Sequence, residues 1–487
     1  MAERVDAVVV GAGVGGLAVA IRLAAAGHRV VVLERRDEVG GKVASTAWNG
    51  YRFDLGPSLL TLPLVFDELF RVAGTSLADE LALVRLDPQF RYRWPDGAEL
   101  TVPDDRGAAV DAFGMFSPGA GEAWRRWDER GRRIWDVSER TFLAGPMAGP
   151  WPLIRRMRSP LDLAAIDPLR TLHGRAVRCF GDPHLVQWAG RYATYSGSSP
   201  FRAPATLACI SHIESRFGCW YPIGGLDALR DALSRVAVGV GVDLRPGCEV
   251  ARIVASEDAV SGIELVDGAR LDAAVVVADV DAEHLYGDLL DDGTERRRLR
   301  HVTRSTSGFV VAAAVRGLTP GLRHHNVWFS SDDRAEFEAL AAGNMADDPT
   351  VYGCISAVTD PSQAPEGCEN WFLLVNTPAG VELDPDAQRS RVVDVLASRG
   401  VELLGRIKWS TTITPADMAA RYRAPGGSIY GSSSDGRRAA FVRPNNRARR
   451  RGLYLVGGSS HPGGGLPLVT IGARIVADLV EQDGVIA

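Results

Sequence analysis

The sequence predicts an α/β chain: a Rossmann-like nucleotide-binding domain into which a mixed α+β domain is inserted. Three observations carry this. Val5–Val10 is a nearly unbroken apolar run, which suits a strand buried on both faces. A Gly-x-Gly-x-x-Gly turn, Gly11 to Gly16, follows it directly. A second strand–glycine–helix pattern stands near the end of the chain, around Gly457 and Leu466.

The first element is the strand Val5–Val10. The turn Gly11-Ala12-Gly13-Val14-Gly15-Gly16 comes next, and Leu17–Ala26 reads as a helix ended by Gly27. Arg29–Leu33 reads as a second strand, closing on Glu34. Each residue type suits a dinucleotide. Gly11 permits the tight turn, Gly13 lets backbone approach a pyrophosphate, and Gly16 lets the helix pack close to the strand. The helix N-terminus offers unpaired N–H groups to phosphate. Glu34 stands where a carboxylate would accept from ribose hydroxyls.

The next stretch decides which dinucleotide. Glu34-Arg35 followed by Val39-Gly40-Gly41-Lys42 resembles the second signature of amine-oxidase-like FAD proteins. There the paired glycines approach the pyrophosphate and the basic residue neutralises it. Gly56-Pro57-Ser58 follows at the distance where that family passes near the flavin ring. At the other end, Leu453–Gly458 reads as a strand ending in glycines and Leu468–Glu481 as a helix. Gly457, Gly458, Leu466 and Pro467 would close over the flavin, making a second anion-and-dipole site.

Together the ends resemble the carotenoid (phytoene) desaturase family of FAD-dependent oxidoreductases. The carrying segments are Gly218-Cys219-Trp220-Tyr221-Pro222-Ile223-Gly224-Gly225-Leu226, Pro425–Gly431, Arg443-Pro444 and the block Gly457–Pro467. Phe53–Leu62 is similar to the hydroxyneurosporene desaturase branch. The resemblance implies an amine-oxidase-type FAD fold and dehydrogenation of a long apolar polyene. It also places Val250 where related proteins bond the adenine through backbone. Ser460 stands where members more often carry Thr.

Between the ends the cofactor domain is expected in three pieces, 1–105, 218–295 and 421–487. Residues 106–217 are helical in pattern and rich in Trp and Arg, as a lid would be. Residues 296–420 carry β-rich runs at 308–315, 326–329, 351–358, 371–375 and 406–413, which suit a sheet over the flavin.

Composition narrows the chemistry. The chain has 487 residues and a formal net charge of -5, against nucleic-acid binding, which needs a basic face. Lys42 and Lys408 are the two lysines, so catalysis through a lysine amine has almost no candidates. No cysteines are spaced as ligand or redox pairs, and a metal site is not expected. Glu3 and Arg4 follow Met1, unlike a secretory leader, so a cytoplasmic protein is expected. Phe142–Ile154, apolar and broken by Pro and Gly, precedes Arg155-Arg156-Met157-Arg158. It reads either as a peripheral contact at the inner face of the membrane or as a lid over the site.

The proton acceptor is not legible. His461 and Glu214 are candidates, with Tyr195 and Arg216 beside them; a structural role is the competing reading for each. No second dinucleotide motif is visible, so oxygen or a quinone is the expected electron acceptor. The alternative substrate is a polyketide-derived polyene, dehydrogenated or isomerised on the same scaffold and held on a carrier protein.

Overall fold

The computed structural model describes residues 3–436 and 439–486. Two seven-stranded sheets organise them. In the first, Glu3–Val10 lies between Arg270–Ala278 and Val30–Leu33, parallel to both, and Asp243–Arg245 extends the parallel edge. Arg270–Ala278 pairs early with the antiparallel strand Val260–Leu265 and late with the parallel Leu453–Leu455. The C-terminal strand thereby enters the sheet that the N-terminus begins. The first strand shows no alternation of buried and exposed positions at its end. Ala7, Val8, Val9 and Val10 are all buried, because both faces of the sheet are covered.

The helix Val14–Ala25 begins three residues before the expected start, with Gly13 in extended backbone as its cap. It packs beside the C-terminal helix Leu466–Asp483 in one apolar core. The second sheet runs Ile407–Ile413, Ser307–Arg316, Cys368–Thr377, Val351–Cys354, His325–Trp328, Phe90–Arg93, Glu99–Val102.

Two local expectations change, and a hairpin that was not expected appears. The strands Phe90–Arg93 and Glu99–Val102 belong to the second sheet, so the sheet boundary falls before Phe90 and not at residue 105. The run expected as strand over 351–358 leaves the sheet after Cys354, where Ser356–Val358 turns; Asn370 binds Ser356 Oγ and the Ala357 N–H. Ser45–Trp48 and Tyr51–Asp54 form an antiparallel hairpin. Its Asn49-Gly50 turn has φ of 43° and 85°, the left-handed pair that such hairpins require.

Residues 106–217 are helical throughout their regular elements. The longest helix, Ala120–Thr141, explains the Trp and Arg content. Trp124, Trp127, Ile134 and Trp135 recur on its buried face, while Arg125, Arg132 and Arg133 face solvent. Burial of each such large side chain contributes about 1.5–3 kcal/mol.

Candidate functional site

One cavity of about 530 Å³ runs from the glycine turn to the inner face of the second sheet. Its first end is made of backbone. Gly11, Gly13 and Gly15 line it, opposite Gly40, Gly41 and Lys42. Gly40 N–H donates to Ala12 O at 2.7 Å, which locks the two glycine turns together. A Cβ on Gly41 would stand 3.0 Å from Gly13 Cα. Gly56, Pro57 and Ser58 line the next stretch, and a Cβ on Gly56 would stand 1.8 Å from Lys42 O. Gly457, Gly458, Leu466 and Pro467 close the other side.

Ala12 and Gly16 do not line the cavity. Ala12 is fully buried, and its N–H donates to Glu34 Oε2 at 3.0 Å. Gly16 is needed for packing, since a Cβ there would meet Gly11 O at 2.2 Å. Glu34 lines the cavity and also accepts from the Arg36 N–H at 3.0 Å. Val250 lies at that same end, beside Cys248, whose N–H donates to Glu34 O.

The two cations bridge to the C-terminal segment. Arg35 donates to Ala420 O at 2.8 Å and Arg421 O at 2.5 Å. Lys42 Nζ donates to Ile429 O at 2.6 Å. Burial pushes Lys42 below its usual value, with Asp281 and Asp279 opposing. Sequence reasoning passed over Asp279, the residue that ends the central strand. It accepts from the Gly16 N–H at 2.8 Å and sits against Gly13 and Gly457. Burial raises it to about 7. An acid closing the strand beside a glycine turn was the available signal.

These residues fit FAD. The cradle is built of glycines whose missing Cβ atoms leave the space, two helix N-termini face it, and Glu34 lines the same end. When bound, FAD would supply the hydride acceptor.

The second end is made of side chains. Val310, Val327, Phe329, Phe372 and Leu374 supply an apolar wall. Tyr352 OH links Ser58 Oγ at 2.7 Å to His325 Nδ1 at 2.8 Å. His324, His325 and Cys354, all buried, bring ligand-type atoms within 4.8 Å of one another. Linear spacing hides this set, because strand pairing brings Cys354 opposite His325. Burial pushes both imidazoles down, His324 to about 3.

The acid–base candidates stand apart from this wall. His461 is buried outside the cavity lining; its Nε2 lies 3.2 Å from Gly145 O and its ring packs edge-on to Phe142. Burial lowers it to about 4. Glu214 also lies behind the wall, accepting from Tyr192 OH at 2.8 Å and from Tyr195 OH. Tyr195 does line the cavity, and Arg216 is exposed.

Residues 14–480 match the family described as flavin containing amine oxidoreductase. A hydroxyneurosporene desaturase of Cereibacter sphaeroides is 38% identical, with 98% of this chain and 97% of the relative covered. A 4,4'-diapolycopene oxygenase of Methylomonas sp is 33% identical, with 98% of each covered. Putrescine oxidase bound to putrescine shares the fold, with a TM-score of 0.68 at 16% identity over 99% of this chain and 100% of that one. The chain belongs to the flavin containing amine oxidoreductase family, on its carotenoid desaturase branch, and is an FAD-dependent oxidoreductase.

Proposed function

We propose that this protein desaturates a long apolar polyene, a carotenoid, by removing two hydrogens from a CH–CH unit. The observation that carries the reading is the single cavity that joins a dinucleotide cradle to an apolar wall. Such a wall holds an extended hydrocarbon beside the cofactor and excludes water. The full-length relatives named hydroxyneurosporene desaturase support it. Bound FAD would supply the hydride acceptor, the proton would leave to water or a base, and oxygen or a quinone would take the electrons.

A peripheral membrane contact fits the surface. Trp151, Leu161 and Leu169 are each at least two-thirds exposed, and Ile154 and Leu163 about half, alongside Arg155 and Arg158. Among the described residues no helix is long and apolar enough to cross a membrane. A chain of ring contacts leads inward from this surface. His173, four residues beyond Leu169, packs on Phe201, and Phe201 packs on the cavity residue Phe337. A substrate drawn from lipid would enter there.

The test is anaerobic mixing of purified holoprotein with a neurosporene-type polyene. Bleaching of the flavin, with a product lighter by two hydrogens and red-shifted, is the expected result. The same mixture run in air reads the alternative: a product that gains oxygen would place the chain with the relatives named oxygenases. Turnover only of a carrier-bound polyene would move it to the polyketide class. Flotation with anionic vesicles reads the membrane contact separately.

A further inference from the structure

Three chemistry-bearing side chains lie one layer behind the cavity wall, and neither the cradle nor the wall uses them. His324, His325 and Cys354 are each exposed by 3% or less, and none of them lines the cavity. Antiparallel pairing sets Cys354 opposite His325, and the Ile355 N–H donates to His324 O at 2.9 Å. One ligand-type atom from each residue lies within 4.8 Å of the other two. An ion bonded at about 2.0–2.3 Å to each would space them by about 3.5–4 Å, inside that bound.

A second observation points to a ligand. His324 Nδ1 pairs with Thr359 Oγ1 and His325 Nδ1 with Tyr352 OH, each at 2.8 Å. The Nε2 atoms of both rings are buried without a partner. A buried polar atom left unpaired is costly, and two on adjacent residues call for a shared occupant. Nδ1 atoms held by hydroxyls fix the ring orientations, as the outer partners of a metal site do. Burial also keeps both imidazoles neutral, the form that binds metals.

We propose that His324, His325 and Cys354 form a closed structural site for a soft monovalent cation, Cu(I). Three arguments choose the ion. First, one thiolate with two imidazoles is a soft donor set, which selects Cu(I) or Zn(II) over harder ions. Second, the set has three members among the described residues. Asp54, whose charge reaches Cys354, spends its oxygens on Tyr221 OH and the Leu226 N–H. Structural Zn(II) is almost always four-coordinate, and a fourth ligand is not supplied. Third, two neutral imidazoles and a thiolate make the Cu(I) complex neutral but leave Zn(II) with one buried positive charge. Arg191 would oppose that charge, since its guanidinium stacks on Phe90 and Phe90 stacks on His325 at 4.8 Å. Asp54 is a weak counter-charge, because burial raises it to about 7.

Binding replaces the Cys354 S–H bond with an S–Cu bond, and the proton leaves to solvent; no electron moves. The ion would tie the end of the strand Val351–Cys354 to the start of His325–Trp328. Tyr352, which bonds both His325 and Ser58, would be steadied from behind. The site stands apart from the polyene reading, and its test reads metal rather than turnover.

The test produces the full-length flavoprotein in copper-supplemented and in zinc-supplemented culture, so that the ion is present while the closed site folds. After anaerobic washing with a chelator, metal is counted per chain. Copper should be retained at one per chain, and zinc should not. Cys354→Ser and His324→Phe should abolish retention. Cys179→Ser removes a thiol that bonds Ala123 O in the helical region and should leave retention unchanged. Competition with a chromophoric Cu(I) chelator should show Thr359→Val weaker by about 10–100-fold. Flavin content and melting temperature establish that each variant is folded. X-ray absorption of the wild-type copper protein decides the matter even where the variants do not fold: one sulfur and two nitrogens are expected around copper. Two or more sulfurs, copper that survives Cys354→Ser, zinc held in preference, or no metal retained overturns the site.

Discussion

The two ends of the cavity are built on opposite plans. The cofactor end is largely a backbone surface: paired glycine turns and helix N-termini, with the carboxylates of Glu34 and Asp279 among them. The substrate end is a side-chain surface, assembled from residues near 58, 90, 191, 327, 352 and 374. A backbone cradle tolerates no added atoms, so sequence change there is punished sterically. A side-chain wall tolerates exchange of shape, and its fixed points are its buried polar groups.

The largest test of this contrast is Gly16→Val. A Cβ at Gly16 falls 2.2 Å from Gly11 O, and backbone cannot yield that distance. We expect loss of bound flavin and a destabilisation above about 3 kcal/mol. Flavin absorbance per mole of protein and thermal unfolding check it; retention of a full flavin spectrum would remove the steric argument.

The matching change at the other end is Glu214→Leu. It strands the Tyr192 and Tyr195 hydroxyls and leaves the Arg191 charge unbalanced. Breaking a buried network in this way costs about 3–5 kcal/mol. Residual folded protein should still take up flavin, because the glycine cradle is untouched. Urea unfolding beside flavin titration separates the two; parallel loss of both would show that the ends are coupled.

Asp279 gives the contrast a pH dependence. Burial raises it to about 7, from near 4 in an unfolded chain. The folded state then holds the proton longer. The stability this contributes is full below about pH 4 and is lost as pH rises through about 7. Apoprotein should therefore weaken across that window relative to Asp279→Asn, by up to about 4 kcal/mol. Denaturant midpoints of the two proteins against pH read the difference, and parallel curves would show that Asp279 titrates normally.

Two smaller effects sharpen the comparison. His461→Gln removes a contact to Gly145 O, worth about 1 kcal/mol, and should leave turnover unchanged. A fall beyond tenfold at full flavin content would make His461 more than a loop tie. Trp151→Ser lies on the exposed apolar surface and should shift stability by less than about 0.5 kcal/mol. It should nonetheless weaken association with anionic vesicles in flotation; unchanged flotation would place the membrane contact elsewhere.

Legibility followed the same division. The expected strands at Val5–Val10 and Leu453–Gly458 and the helix after Gly16 are present with small shifts at their ends. Val250 lines the cavity, though only resemblance had pointed to it. Phe90–Val102 joined the second sheet because its partner is His325–Trp328, more than 200 residues away. No periodicity within a strand names its neighbour. Asn49-Gly50 did carry a local hairpin signal, and it lies between the two glycine motifs.

By itself the sequence marked the cofactor and the glycine turns of its end of the cavity. Such turns and helix starts follow a strand directly along the chain, so short-range spacing encodes each of them. Only the tertiary structure decided the substrate end. It withdrew Glu214 and His461 behind the cavity wall and brought His324, His325 and Cys354 together. It also turned Arg191 into the apolar space with Glu214 balancing it through Tyr195. The physical reason is that burial and pairing set what a polar side chain can do, and both come from segments that meet only when the chain has folded.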